Sequence, residues 1–477
     1  MAAIEREGVY KDLMEIGWFR RLVKWRGLQF TFQLVGLIFF GGVVYAGLWG
    51  TPFGRENLGS TFTWLLWWTM IPVTMLVAAR VWCFMCPWIA PGEWLQRLAF
   101  WHKGKRSFTL NKKVPKFLQN FWLITLLFLI LTWMDFTYEL ANQPETTVYI
   151  ALGLVLLAVV VSLIFEKRSF CKYFCPVGGV IAAYSQVAPV ELRNKDPQVC
   201  RTCQSRGCFK GNDKGYACPM MIHTYGIDRN THCVLCMECV KTCPNDNISI
   251  NLRKPFQDIF KKGLGFLRTR DITFDLSAIV VILLGIIPFE NTIMTPAYLS
   301  LEEKLGDSLG IAPLTLRTII FVLSALVALG IFWGLSWLTR RIARDTVYGT
   351  KRIFVWFALS FIPLAISMHL AHNFFHMFVE GAAVIPALSD PFGFGWNLFG
   401  TAGGSFTVLS PDLVPTFQVL AVSLGLVASV YCLYRLAMNM FESRRQALRA
   451  LSPMAVFLLA LGAFYLWLLT IPMAMRF

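Results

Sequence analysis

Apolar residues fall into long runs bounded by charge, proline or glycine, and nine of these runs approach the roughly 20 residues a helix needs to cross a bilayer. The pattern predicts spans over residues 28–49, 61–82, 117–136, 146–165, 273–289, 313–338, 353–380, 416–437 and 454–474. At the N-terminus, Tyr10, Leu13, Trp18, Phe19 and Trp25 mix with Arg20, Arg21 and Lys24. That mixture reads as an interfacial helix resting on lipid, with no need of a cleaved leader. Trp88–Trp101 and Phe256–Phe266 read as similar elbows. Between spans five and six, Ser300-Leu301-Glu302-Glu303 has the form of a capping box and predicts a short surface helix. The stretch 381–415 is rich in Gly, Pro and aromatics, and only the stretch 166–272 breaks the hydropathy pattern for long enough to form a soluble domain.

Composition agrees with this pattern. The chain is 56% hydrophobic and 15% charged, where soluble domains carry about 25% charged residues. Its net charge of +16 raises the question of nucleic acid, but the basic residues lie between apolar runs and form no stripe or tail, so no nucleic-acid partner is expected. With the span ends counted in, one side of the predicted topology holds 40 Lys and Arg, and the other holds Arg55, Lys304, Arg317 and Arg476. The positive-inside rule then places the N-terminus and 166–272 in the cytoplasm and Phe477 outside. The expected architecture is an all-α polytopic membrane protein of about nine transmembrane helices with a small inserted cytoplasmic ferredoxin-like domain that carries two clusters. Its parts are an interfacial helix (1–27), a four-helix membrane unit (28–190), the inserted domain (191–254), a linker helix (255–272) and a five-helix membrane unit (273–477).

Twelve of the 13 cysteines fall on the predicted cytoplasmic side, where thiols stay reduced, so metal binding is a better reading than structural disulfides. Cys233-x2-Cys236-x2-Cys239-x3-Cys243-Pro244 has the spacing of a bacterial [4Fe-4S] run, in which three thiolates hold one cluster and the fourth reaches a second. Upstream stand Cys200, Cys203 and Cys208, then Cys218-Pro219. Under the exchange rule, Cys200, Cys203, Cys208 and Cys243 form one ligand set and Cys218, Cys233, Cys236 and Cys239 the other. The alternatives are free thiols or a zinc knuckle at the downstream run, and a zinc site at Cys200, Cys203, Cys208 and Cys218. A second constellation pairs Arg80-Val-Trp-Cys83-Phe-Met-Cys86-Pro87 with Arg168-Ser-Phe-Cys171-Lys-Tyr-Phe-Cys175-Pro176, two copies of one helix-end unit. Its four thiols suit a further iron-sulfur or metal centre or redox-active disulfides. The plain alternative is small apolar side chains at helix ends.

The paired helix ends followed by a two-cluster segment resemble the membrane polyferredoxins of the NapH and NosR type, and copper-oxidase assembly proteins of the CcoG type share much of the pattern. The resemblance covers roughly residues 28–254. It implies service to periplasmic nitrate or nitrous-oxide reduction, with electrons passing to a redox partner on the outer face. The first pair here has two intervening residues where that family usually has three, and spans five to nine lie outside the resemblance.

Span seven carries His369, His372 and His376, which with Asn373 and Glu380 fall within roughly a 100° arc of a helix. Ionisable groups in the bilayer are costly, so this face should turn inward. No other predicted span holds a histidine, which argues against a bis-histidine haem. Four readings stay open: a quinone headgroup, a copper or zinc ion on two of the three rings, a haem with an unusual axial ligand, and a hydrogen-bonded packing cluster. Asp135 and Glu139 form a lesser candidate proton site; His223 and His232 flank the clusters and are expected mainly at the surface, as is His102. The expected function is electron transfer in the bacterial cytoplasmic membrane, between a quinone pool or cytoplasmic donor and a respiratory partner. The rival is a copper-handling or reductase-type assembly factor.

Overall fold

The computed structural model describes residues 8–97, 109–260, 273–344 and 347–472. His102 and the far ends of both elbows lie outside them. The chain is a polytopic membrane protein. Among the described residues, seven helices are long and apolar enough to cross a bilayer, and a bent pair makes eight if counted as one span. Leu28–Trp49 coincides with its predicted span, while Trp122–Tyr138, the third predicted span, is an apolar helix of 17 residues. The last span begins earlier than expected, at Arg444, because Ser443 caps it by accepting the Gln446 N–H at 3.1 Å. Likewise the helix expected near Ser300 starts at Pro296, where Thr295 is the cap and proline takes the first turn. The seventh span is Thr350–Ser360 and Ile362–Phe378, bent by 46°. Pro363 causes the break. It has no N–H, and Leu364 N donates to Ser429 Oγ at 2.9 Å in place of the preceding turn.

The residues group into two compact units: Met1–Gly42, Val73–Leu127 and Tyr149–Asp271, and then Val43–Pro72, Phe128–Val148 and Ile272–Phe477. The first contains a three-stranded antiparallel sheet in the order β1 (Val9–Asp12), β3 (Ile248–Arg253), β2 (Val190–Asn194). The expected N-terminal helix is therefore shorter, Gly17–Lys24, and the residues before it pair in register Val9↔Arg253. Alternation along β3 turns Ile248 and Ile250 into a core shared with Leu192, Met14, Val23, Leu235 and Val240. Beneath the sheet, buried Arg253 pairs with Asp258 (2.6 Å) and Glu191 (2.8 Å).

In the second unit, the Phe274–Ile293 helix is central, with 78% of its most apolar window buried, against 22% for Pro313–Ile342. Small residues allow close helix approach here. A Cβ on Gly425 would lie 2.2 Å from Ser367 Oγ, so the Val414–Met440 helix can lie against the histidine helix only with glycine at that position. The second span opens with a π-helical stretch, Thr61–Trp67, a conformation that recurs at functional sites.

Candidate metal centres and the histidine cavity

The eight cysteines of 200–243 are distributed four and four around two cavities. One is lined by Cys200, Cys203, Cys208 and Cys243. The other is lined by Cys218, Cys233, Cys236 and Cys239. Each motif thus sends its last cysteine to the other motif's cavity. The backbone makes this exchange by unusual means: Arg206, Met221, Leu235, Met237 and Asp246 all have positive φ without being glycine. Such conformations cost of order 1–3 kcal/mol each and gather at functional sites. Gly207 brings the two motifs together, because a Cβ there would sit 2.5 Å from Thr242 O, next to Cys243.

The two cavities differ in polarity. In the first, Asn247 donates to Cys243 Sγ through its backbone N–H and to Cys200 Sγ through Nδ2, both at 3.3 Å. Thr224 Oγ1 donates to Cys208 Sγ at 3.4 Å, and Cys203 lies 3.5 Å from Ser205 Oγ in an exposed turn. The hydrogen bonds of Ser205 and the Arg206 backbone hold the Cys203 thiol below its ordinary range. His223, expected mainly at the surface, also lines this cavity, and its Nδ1 accepts from Tyr225 N at 3.3 Å. The second cavity is walled by Leu192, Ile222, Ile227 and Val234. Burial pushes Cys236 and Cys239 well up, and neighbouring thiols push them further. Thr224 lines both cavities. His232 is half-buried, stacked on Phe121 with ring centres 5.7 Å apart.

The helix-end motifs are structural duplicates. In each, a left-handed residue (Ala79, Lys167) precedes the arginine, a five-residue helix (Val81–Met85, Ser169–Tyr173) carries the first cysteine, and Cys-Pro follows. Burial pushes Cys86 up to about 11 and Cys175 to about 12, and in both cases thiols of the same foursome add to the rise. Arg168 is buried beside them. Its Nη1 donates to Cys83 O at 2.7 Å, its Nε to Glu93 Oε1 at 3.0 Å, and its backbone N to Pro219 O at 3.1 Å. Arg80, also buried, donates to Thr231 O. Glu93 further accepts from Gln33 (2.7 Å), Gln29 (3.2 Å) and Arg97 (2.6 Å). Burial opposes ionisation of Glu93, but Arg168 and Arg97 outweigh it and hold the carboxyl below its usual range. Sequence reading missed Glu93; the available signal was the polar pair Gln29 and Gln33, four apart on one face of an apolar span.

These geometries can be set beside known proteins. The family described as "4Fe-4S binding domain" matches residues 60–109 and 147–193, the two blocks that carry the helix-end motifs. The ferredoxin-type protein NapH of Escherichia coli K12 is 23% identical over 198 residues, 38% of this chain and 66% of that one. The chain resembles the NapH-type membrane polyferredoxins. YccM of the same organism is 29% identical over 95 residues, 19% of this chain and 24% of the relative. An uncharacterized protein of Methanocaldococcus jannaschii is 26% identical over 198 residues, 38% of this chain and 76% of that protein. No solved structure gives a significant match. The similarity to a 4Fe-4S binding domain therefore falls on segments that include two membrane-spanning helices of this polyferredoxin-like chain. Among its described residues, no three His, Cys, Asp or Glu donors converge on a point where a single metal ion would sit.

In the second unit, His369, His372 and His376 are all buried on the Ile362–Phe378 helix, while Glu380 lies just beyond it in a 3-10 turn. His372 and His376 line one cavity of about 310 Å³ with Met294, Phe375, Gln418 and Leu469. His369 does not; its ring faces Trp68 at 6.3 Å. A hydrogen-bond chain sets the His372 tautomer. Tyr465 OH donates to Met368 O (2.8 Å) and accepts from Asn291 Nδ2, which turns Asn291 Oδ1 toward His372 Nδ1 at 3.0 Å. Nδ1 therefore carries the proton and Nε2 the lone pair. His376 Nδ1 is held the same way by Glu380 Oε2 at 2.6 Å. Glu139, offered with Asp135 as a proton site, is exposed at the end of its helix.

Proposed function

We propose that the chain carries electrons through two [4Fe-4S] clusters and a third centre, and exchanges them with a membrane quinone. The single observation behind this reading is the four-and-four division of the thiols. A cubane holds its thiolates apart at its corners, so four cysteines around a cavity are the donor set it needs. Cys200, Cys203, Cys208 and Cys243 would hold one cluster, and Cys218, Cys233, Cys236 and Cys239 the other. When bound, such clusters each accept or release one electron. The chain's own residues then set the conditions. Asn247 and Thr224 direct N–H and O–H dipoles at sulfur, and Arg168, held by Glu93, supplies positive charge beside Cys83 and Cys171.

At the helix ends, Cys83, Cys86, Cys171 and Cys175 would hold the third centre. As bare thiols, Cys86, Cys171 and Cys175, their pKa raised by burial, are poor nucleophiles, so a metal centre that displaces the protons gives the foursome a better account than disulfide exchange. In the histidine cavity a quinol headgroup finds a site of the size typical for organic ligands. Oxidation releases two protons, for which His372 Nε2 and His376 Nε2 are the acceptors, and two electrons, which leave singly to the iron-sulfur centres. His369 serves packing. In this reading the chain crosses the bacterial inner membrane nine times with its clusters in the cytoplasm, and the loop at 381–415 meets a periplasmic redox partner.

Iron and acid-labile sulfide per chain, with low-temperature EPR of the reduced protein, test the core. About eight irons mean two cubanes and about twelve mean a third; iron-free protein after anaerobic purification overturns the reading. His372→Ala should slow quinol-linked reduction of the clusters at least about tenfold, and an unchanged rate returns that cavity to packing.

A further inference from the structure

We infer that the exposed edge of the Cys203 cavity is the docking surface for an acidic, soluble one-electron carrier protein. The inference rests on the reading that this cavity holds a cluster. Electron tunnelling falls steeply with distance, so a soluble partner must approach the centre nearest the surface. Cys203 sits in an exposed turn and exposed Pro244 and Asn245 line its cavity, whereas the residues lining the neighbouring cavity are all buried or half-buried. The open cavity is therefore the port.

Charge then selects the partner. Arg201, Arg206, Lys210 and Lys214 are all exposed, and among the described residues none of them makes an ion pair. Arg201 is held in place, donating to Tyr225 OH at 2.7 Å with its guanidinium over that ring at 5.3 Å. Nearby acids are already engaged: Asp246 is paired with Arg20 and Lys24, and Asp196 caps the Pro197–Thr202 helix. Within residues 201–214, Asp213 is the one acid against the four bases. Topology does not explain them either. The positive-inside rule acts within roughly 15–20 residues of a span, and Arg201 follows Ile164, the end of the preceding span, by 37 residues. A patch of unpaired bases around a redox port attracts a carrier with an acidic face, raising encounter rates by about 10–10³ at low salt. One electron passes from the reduced carrier to the oxidised cluster; no proton moves and no bond changes.

The test uses the full-length, cluster-loaded protein in neutral-lipid nanodiscs and an acidic [2Fe-2S] ferredoxin. A redox-inert, gallium-substituted ferredoxin reads binding alone. Affinity should fall as salt rises from about 50 to 200 mM, and K210E/K214E should weaken it at least about tenfold while K210R/K214R keeps it. Stopped-flow reduction by the native ferredoxin should slow in step, with reduction by dithionite unaltered. Binding that ignores both salt and charge reversal overturns the inference. So does a loss confined to binding of anionic-lipid vesicles, which would assign the patch to the membrane surface. Iron content separates the two failures: an iron-free wild type defeats the cluster reading, whereas full iron with unchanged ferredoxin binding defeats only the dock.

Discussion

The two four-thiol cavities draw on the same cysteine motifs yet offer sulfur opposite surroundings. The Cys203 cavity is open, polar and supplied with donors from Asn247, Thr224 and Ser205. The Cys236 cavity is the more closed, walled by buried and half-buried residues, and is tied through Pro219 to buried Arg168. In the proposed reading four thiolates would hold each cluster alike, so any difference in redox behaviour must come from hydrogen bonding, burial and nearby charge. Solvent and N–H···S contacts favour the more negative, reduced state, so the open centre should titrate at the higher potential.

The largest effect should come from Glu93→Ala. It leaves Arg168 and Arg97 without their buried carboxylate, and breaking such a pair costs about 3–5 kcal/mol. Thermal melting should drop steeply, with iron lost first from the closed side; a melting point within a degree or two of the parent would separate that network from the fold. Next, Cys243→Ser and Cys218→Ser should each remove about half of the cubane iron, but in the crossed sense. Cys243→Ser, in the downstream motif, should abolish the higher-potential EPR signal, and Cys218→Ser the lower. Loss of the lower-potential signal in Cys243→Ser and of the higher in Cys218→Ser would contradict the exchange.

A pH-dependent difference should follow in protein stripped of iron and checked for retained helicity. Cys203, its pKa lowered by hydrogen bonds, becomes thiolate first as pH rises and should be the first of the eight alkylated by iodoacetamide. Cys236 and Cys239, their pKa raised by burial, should stay protonated and unmodified well beyond the ordinary thiol range. Peptide mapping after timed labelling reads the order, and equal rates would erase the contrast. The smallest effect is Asn247→Leu. Losing a hydrogen bond worth about 1 kcal/mol should lower the open centre's potential by about 40 mV in a one-electron titration and leave the closed centre where it was.

Much of this could be read directly from the residues. Cysteine spacing anticipates the four-and-four division of the thiols, because a tight loop turns its fourth thiol away from the other three. The apolar run 28–49 ends where Gly50 and Pro52 stop any helix, so that boundary needs no tertiary information. Less legible were features made by distant partners. Val9–Asp12 is a strand only because β3, more than two hundred residues away, offers it an edge. Glu93 matters because Arg168 arrives 75 residues later. The helix at Pro296 was misplaced for a local reason: Thr295-Pro296 competes with the Ser300 box and wins, since proline at the first turn cannot sit inside the helix it starts without breaking a hydrogen bond.

Thr224, a single side chain, forms part of the wall of both cavities. Two centres so close must feel each other's charge, because a dry interior screens poorly. Once one has been reduced, its neighbour resists the next electron, and loading becomes anticooperative. A pair of such centres would not accumulate charge. It would meter a two-electron donor into a sequence of single transfers.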